Sequence, residues 1–414
     1  MLKIIVIVLF CLVFIIGKLI DNSLLSINRI IPFMWCCLVI IPLLLWNINY
    51  QWKYWGLLWL GMAMISMELG AVLANKRKVV LKTYIESMLV LPFRKKLEYN
   101  YYVLLLTIIL AFMGIVIKIK AVGYGLESFL SVDKFIKMNT EIAYLRYHGG
   151  LATNTVGQIL GTLAYTATLL GGYVYNCTKR CNIRLLCIAS FLPMVLSMLY
   201  TNTKSGFIAD LFLWFIGYCI SYLRFNGRLP IVSRKIFIGA IMGALLFWGL
   251  MVFFMTLRTG DFSSEMILNR SNEFFTYAFG GTAGFDYWFM DQINNEKPYM
   301  LGAQTYMAVF KNIGINCDSN YELIESINTN IFTSFRGVIT DYGVLIGIVY
   351  CFIRGFVSQT AFNTIKSSKK RNYLAILLLS TAYFWGLYSF IISPWIYTTF
   401  ILVFLSFLLL VFML

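Results

Sequence analysis

Read for its hydrophobic and polar positions, the chain is a series of long apolar stretches separated by short polar connections. A helix needs about 20 apolar residues to cross roughly 30 Å of hydrocarbon. Eleven stretches meet that length: about 2–20, 31–47, 54–74, 100–119, 156–175, 184–200, 206–223, 236–257, 338–357, 373–392 and 395–413. The pattern predicts an all-α polytopic membrane protein with about 11 (10–12) transmembrane helices. The first stretch follows Met1-Leu2-Lys3 and reads as a retained span. It is longer than a signal h-region, and no A-x-A-like cleavage site follows it. No repeat of solenoid or inverted type is visible.

Two polar interruptions are larger than a turn. In residues 120–155, Leu126, Phe129, Leu130, Phe135, Ile136, Ile142 and Leu145 recur at helical spacings among charged residues. That alternation predicts an amphipathic helix lying in the membrane interface. Residues 258–335 form a 78-residue connection dense in Tyr, Phe and Trp, with Gly280, Gly281 and Gly284 inside an aromatic run. A loop of that length without structure is unusual, so it should contain helices that cover a site. The organisation is therefore 1–257 as the first part of a bundle, 258–335 as an extramembrane subdomain, and 336–414 as the C-terminal part of the bundle.

Composition removes other classes. Of the 414 residues, 60% are apolar and 13% charged, with mean hydropathy +0.78. Soluble domains carry roughly 25% charged residues, so a water-soluble globule is excluded. The net charge of +16 would suggest nucleic acid in a soluble protein, but its distribution follows the loops. One set of connections holds 21 basic residues against three acids, and the opposite set holds 13 of each. This asymmetry places the first set inside, the N-terminus outside and the C-terminus inside. No nucleic-acid partner is needed. Of nine cysteines only Cys317 falls in a substantial outer loop, so no outer disulfide pair exists within the chain. With one histidine, no His/Cys metal site is expected.

The outer side carries the candidate chemistry. Arg146, Lys204, Arg258, Arg270 and Arg336 each lie within a few residues of an outer membrane boundary, in five chain segments. Converging, they would hold an anion such as a pyrophosphate, since guanidinium forks match phosphate oxygens. As separate residues they would be interfacial anchors. Candidate bases for activating a hydroxyl are Asp286, Asp341 and His148, with Asp261, Glu273 and Asp291 also of suitable type. Asp341 falls one turn inside a span, where a charge costs ~2.5–3.5 kcal/mol on insertion scales, and Arg336 is the expected partner. Asp210 is expected to pair with Lys204 or Arg258, and Glu68 with Lys76 or Arg77. No P-loop, G-x-G-x-x-G, H-E-x-x-H or G-x-S-x-G in a strand setting is present.

Three stretches resemble the Wzy-type O-antigen polymerases, or oligosaccharide repeat unit polymerases. These are the turn Thr203-Lys-Ser-Gly206, the aromatic-glycine stretch Tyr277-Ala-Phe-Gly-Gly-Thr-Ala-Gly-Phe-Asp286, and Thr333-Ser-Phe-Arg-Gly-Val-Ile-Thr-Asp-Tyr-Gly-Val-Leu-Ile-Gly347. The turn departs from the family's T-x-S-R-G-like order at Lys204. The resemblance implies a GT-C-like, metal-independent glycosyltransferase without a cofactor, at the periplasmic face of the bacterial inner membrane. It implies undecaprenyl-pyrophosphate-linked oligosaccharide as donor and acceptor, membrane lipid around the chain, and a separate chain-length regulator as partner. Lys204, Arg258, Arg270 and Arg336 carry over as diphosphate binders, with Arg146 beside them. Tyr277, Tyr287 and Trp288 would stack on sugars.

Two alternatives stay open. An O-antigen ligase would use the same donor, but that family places a histidine in the large loop, and 258–335 contains none. A repeat-unit flippase or other transporter would line a mid-membrane cavity with polar residues. The charge pattern itself is directly testable. Alkaline phosphatase fused within 258–335 should be active and a fusion after Leu414 inactive, and the reverse outcome would invert the assignment.

Overall fold

The computed structural model describes residues 1–45, 51–81, 101–147, 154–201, 204–257, 263–294, 298–315, 317, 331, 333–367 and 372–413. In chain order the helices are α1 (Leu2–Ile20), α2 (Ile27–Leu45), α3 (Trp55–Lys76), α4 (Tyr101–Ala121), α5 (Val132–Tyr147), α6 (Thr155–Tyr175), α7 (Cys181–Ala189), α8 (Leu192–Thr201), α9 (Lys204–Asn226), α10 (Arg234–Leu257), α11 (Ser264–Asn294), α12 (Met307–Asn312), α13 (Ser334–Ser367), α14 (Tyr373–Tyr388) and α15 (Thr398–Met413). The described residues contain no strand. Among the described residues, eight helical stretches are long and apolar enough to cross a membrane, with α7 and α8 forming one such stretch across a break. The helices α14 and α15 are apolar but shorter, and α6 is 21 residues long but carries Gln158 and four threonines. Length and composition therefore give a polytopic membrane protein. The helices expected in the large loop are present as α11 and α12.

The chain divides into two compact units. Unit 1 comprises Met1–Glu86, Asn226–Ile238 and Ser271–Thr398, and unit 2 comprises Ser87–Phe225, Gly239–Arg270 and Thr399–Leu414. In unit 1, α3 runs beside α13. A Cβ on Gly355 would lie 1.8 Å from the Met67 carbonyl oxygen, so only hydrogen fits where these backbones meet. Above that crossing sits an aromatic cluster. Phe335 meets Trp35, Trp59 and Trp385 edge-on at 5.5, 6.0 and 5.4 Å between centroids, and Trp59 reaches Phe285 and Phe289 of α11. Edge-to-face pairs of this kind add about 0.5–1.5 kcal/mol each beyond area burial.

Helix breaks set the rest of unit 1. Pro32 and Pro42 lie inside α2 and cannot donate to the carbonyls of Asn28 and Leu38. The Leu38 carbonyl instead accepts the Thr282 hydroxyl at 3.3 Å, which fastens α11 to α2. Within α13, Gly343 has φ 79° and ψ 175°, a conformation that side chains rarely adopt. The Val344 carbonyl beside this break accepts the Trp59 indole N–H at 2.9 Å.

In unit 2 the amphipathic helix exists as α5, but its apolar face meets protein. Met138 and Ile142 are buried against Ile115, Ile119, Ala164, Met194 and Tyr200 from α4, α6 and α8. The apolar stripe expected of an amphipathic helix is present, and neighbouring helices cover it with closer packing than lipid tails would give. Leu126, Leu130 and Val132 remain exposed. Before α5, the Tyr124 phenol donates to the Glu141 carboxylate and is pushed up to about 12 by burial and then by that acid. It therefore stays neutral and donating through the physiological range. Replacing Gly355 by Val should cost about 1–3 kcal/mol through overpacking against Met67, read as a lower midpoint in thermal unfolding of the purified protein. An unchanged midpoint would mean that the α3–α13 approach is not needed.

Candidate functional site

The sequence-derived residues are found in unequal surroundings. Arg336 belongs to unit 1, while Arg146, Lys204 and Arg270 belong to unit 2. Arg258, His148 and Asp261 lie outside the described residues, as do the side chains of Arg146 and Lys204. The densest chemistry among the described residues is in unit 1. It gathers α11, α13, α14 and the hairpin 298–306.

Two expected site residues meet directly. The Arg336 guanidinium lies over the Trp288 ring, 5.2 Å from its centroid. Trp288 is nearly buried beside Phe285 at 5.8 Å, so the indole is a fixed plate rather than a free surface group. A cation held flat on an indole keeps its planar fork in one orientation at little further entropic cost. Tyr277 stacks on Phe274 at 6.2 Å, whereas Tyr287 is 51% exposed on another side of α11.

The two aspartates hold backbone. Asp286 is 0% exposed. Its Oδ2 accepts the N–H groups of Lys53 and Tyr54 at 2.8 and 3.0 Å, and its Oδ1 accepts that of Gly56 at 3.0 Å. A carboxylate thus caps the start of α3 from a different helix, where the helix dipole also favours negative charge. Asp341, likewise 0% exposed, accepts the N–H of Gln304 on Oδ1 at 2.9 Å and of Thr305 on Oδ2 at 2.6 Å. The Leu301 N–H adds a bond to the Asp341 carbonyl at 3.2 Å, and Ser393 Oγ donates to the Thr305 carbonyl at 2.7 Å. The partner expected from Arg336 is therefore supplied by the hairpin backbone. Both aspartates are buried, with their carboxylates bonded to backbone N–H groups.

The spans contain polar groups that the loop-based reading did not place. Arg354, assigned from sequence to an inner connection, is the eleventh of the 24 residues from Val344 to Ser367. Its Nη1 donates to the Tyr350 hydroxyl at 3.0 Å, which lies 2.9 Å from the Tyr306 hydroxyl, and its guanidinium sits 4.1 Å from the Trp385 ring centroid. Tyr342 stacks on Tyr350 at 5.6 Å. An arginine at this depth, held by phenols and an indole, is a functional candidate in its own right. The run Ile346-Gly-Ile-Val-Tyr-Cys-Phe-Ile-Arg-Gly-Phe-Val357 could have shown it, since apolar residues flank Arg354 on both sides and Tyr350 stands one turn before it. In unit 2, the partners expected for Asp210, the Lys204 side chain and Arg258, lie outside the described residues. Asp210 Oδ1 accepts the Thr168 hydroxyl at 2.7 Å on the facing helix α6. No group of three or more His, Cys, Asp or Glu side chains able to hold a metal occurs among the described residues.

Asp286 offers a test that separates anchor from base. Asp286→Ala should lower thermal stability by several kcal/mol, since each buried N–H left unbonded costs about 1–3 kcal/mol, and Asp286→Asn should restore part of it. A base would behave oppositely, with Asn abolishing activity at unchanged stability. Comparison with protein-family models, with curated proteins and with solved structures finds no match to this chain, so its chemistry is argued from its own residues.

Proposed function

We propose that this protein is a membrane glycosyltransferase that polymerises lipid-linked oligosaccharide repeat units. In this reading the growing glycan passes from undecaprenyl pyrophosphate to the non-reducing end of a new lipid-linked repeat unit. The chain crosses a bacterial inner membrane about 11 times in a GT-C-like arrangement, with its active face periplasmic. The observation that carries the reading is the Arg336–Trp288 pair, a phosphate-type cation and a sugar-type ring held together beside a hairpin anchored on Asp341. The motif resemblance over 277–286 and 333–347 contains both partners of that arrangement or adjoins them.

The transfer makes the bond from the acceptor oxygen to the anomeric carbon, breaks the bond from that carbon to the pyrophosphate oxygen, and passes the acceptor's hydroxyl proton to the departing diphosphate. Negative charge grows on the departing diphosphate, and a preorganised guanidinium aimed there lowers the barrier. Arg336 is assigned that role. Asp286 and Asp341 serve by fixing α3, the hairpin and α13 around it. A second reading, transport of the lipid-linked unit, is favoured by one observation, Arg354 inside the long helix α13 with its Tyr350, Tyr306 and Trp385 neighbours.

Deletion of the gene separates the two. Surface glycan capped with a single repeat unit supports polymerisation, and loss of outer-face repeat units supports transport. Within the polymerase reading, Arg336→Ala should shorten or abolish the polymer ladder at normal protein level. Arg336→Lys should rescue poorly, because an ammonium lacks the planar fork that stacks on Trp288. A full ladder in Arg336→Ala would overturn the role.

A further inference from the structure

The polar group least accounted for is Glu68, in the inner half of α3. It is 0% exposed, and neither carboxylate oxygen has a hydrogen-bond partner among the described residues. Lys76 and Arg77, its expected partners, are exposed at the end of the helix. The charged and titratable groups that the neighbouring helices bring toward this level are Lys18 of α1, Arg29 of α2, and Tyr350, Cys351 and Arg354 of α13. Lys18 is exposed, and Arg29 donates to the Asn22 carbonyl at 3.3 Å and lies over the Phe14 ring at 4.6 Å. Arg354 is engaged with Tyr350 and Trp385, and the Cys351 thiol is buried. None forms an ion pair with Glu68 among the described residues.

What Glu68 does face is a backbone oxygen. A Cβ at Gly17 would lie 1.8 Å from the Asn28 carbonyl oxygen and 3.7 Å from Glu68 Oε2, so the two oxygens border the same glycine and lie no further apart than those two distances together. Pro32 cannot supply the helical N–H to that carbonyl. The equivalent carbonyl released by Pro42 has found the Thr282 hydroxyl, but at Asn28 the nearby polar group is a carboxylate, which can only accept. Two acceptors brought together in an apolar bundle require something positive between them. A polar route leads there. Asn28 Nδ2 donates to Gln359 Oε1 at 2.6 Å, and Gln359 Nε2 donates to Asn363 Oδ1 at 2.9 Å and to Asn75 Oδ1 at 3.5 Å, near the ends of α13 and α3.

We propose that Glu68 and the Asn28 carbonyl form a binding site for one monovalent cation, a proton or an alkali ion, reached from the Lys76 end of α3 along the Asn28–Gln359–Asn363 amides. One carboxylate balances one positive charge. As a proton, the charge makes Glu68 a donor to the Asn28 carbonyl. As an alkali ion, it takes oxygen ligands from both. The site stands whether or not the chain transfers sugars.

The test treats the purified full-length protein with dicyclohexylcarbodiimide, an apolar reagent that labels protonated carboxyls, and maps the adduct by peptide mass spectrometry. Glu68 should be labelled in mildly acidic medium and lose labelling as the medium becomes alkaline. If the cation is an alkali ion, sodium chloride should protect at fixed pH where choline chloride does not. Glu68→Gln should lose the adduct. Pro32→Ala returns an N–H to the Asn28 carbonyl, so it should diminish sodium protection or shift the pH dependence while leaving Glu68 in place. Failure to label Glu68, or labelling indifferent to both pH and sodium, would overturn the proposal.

Discussion

Every backbone polar group at membrane depth has to find its partner inside the protein, because lipid offers neither donor nor acceptor. An unbroken helix meets that condition by itself, so the informative positions are the breaks. In unit 1 there are breaks inside α2 at Pro32 and Pro42, at the start of α3, and inside α13 at Gly343. At all of these but Pro32, a particular group takes over what the helix no longer provides. Thr282 bonds the Leu38 carbonyl, the Met300 and Leu301 N–H groups bond the Thr340 and Asp341 carbonyls before Gly343, and Asp286 collects three N–H groups before and at the start of α3. These repairs tie α11 to α2 and α3 and fasten the hairpin to α13, which helps to position Trp288 under Arg336.

The two aspartates follow the same logic. A buried carboxylate is tolerated when several N–H groups converge on it, and such bonds to a charged acceptor contribute more than neutral ones. Asp286 and Asp341 each receive at least two backbone donors, so fixed dipoles stabilise negative charge at both. Type alone cannot distinguish a carboxylate aimed at substrate from one aimed at a hairpin. Glu68 departs from this rule, with neither oxygen bonded among the described residues, and Asp210 meets it only in part through Thr168.

The lateral surfaces reflect the solvent as well. Much of α10 between Ser233 and Leu246 is exposed, as suits a helix whose neighbours on that side are lipid. The face of α5 reads equally well as a lipid-facing or protein-facing stripe, since both demand apolar residues at helical spacing. Only the presence of Ile115, Ala164 and Met194 nearby decides that it is covered by protein.

The sequence by itself determined the helical class, the approximate places of most long helices, and the presence of helices in 258–335. Each depends on apolar residues summed over windows of about 20 positions, and such sums survive local irregularity. Tertiary structure alone decided which polar residues meet. It brought Arg336 to Trp288 across 48 positions, joined Asp286 to Lys53 and Asp341 to Thr305, and placed Arg354 among Tyr350, Tyr306 and Trp385. The physical reason is that pairing in a membrane depends on helix rotation and depth. Both are set by packing at residues such as Gly355 and Gly17, where the absence of a Cβ fixes how closely two backbones approach.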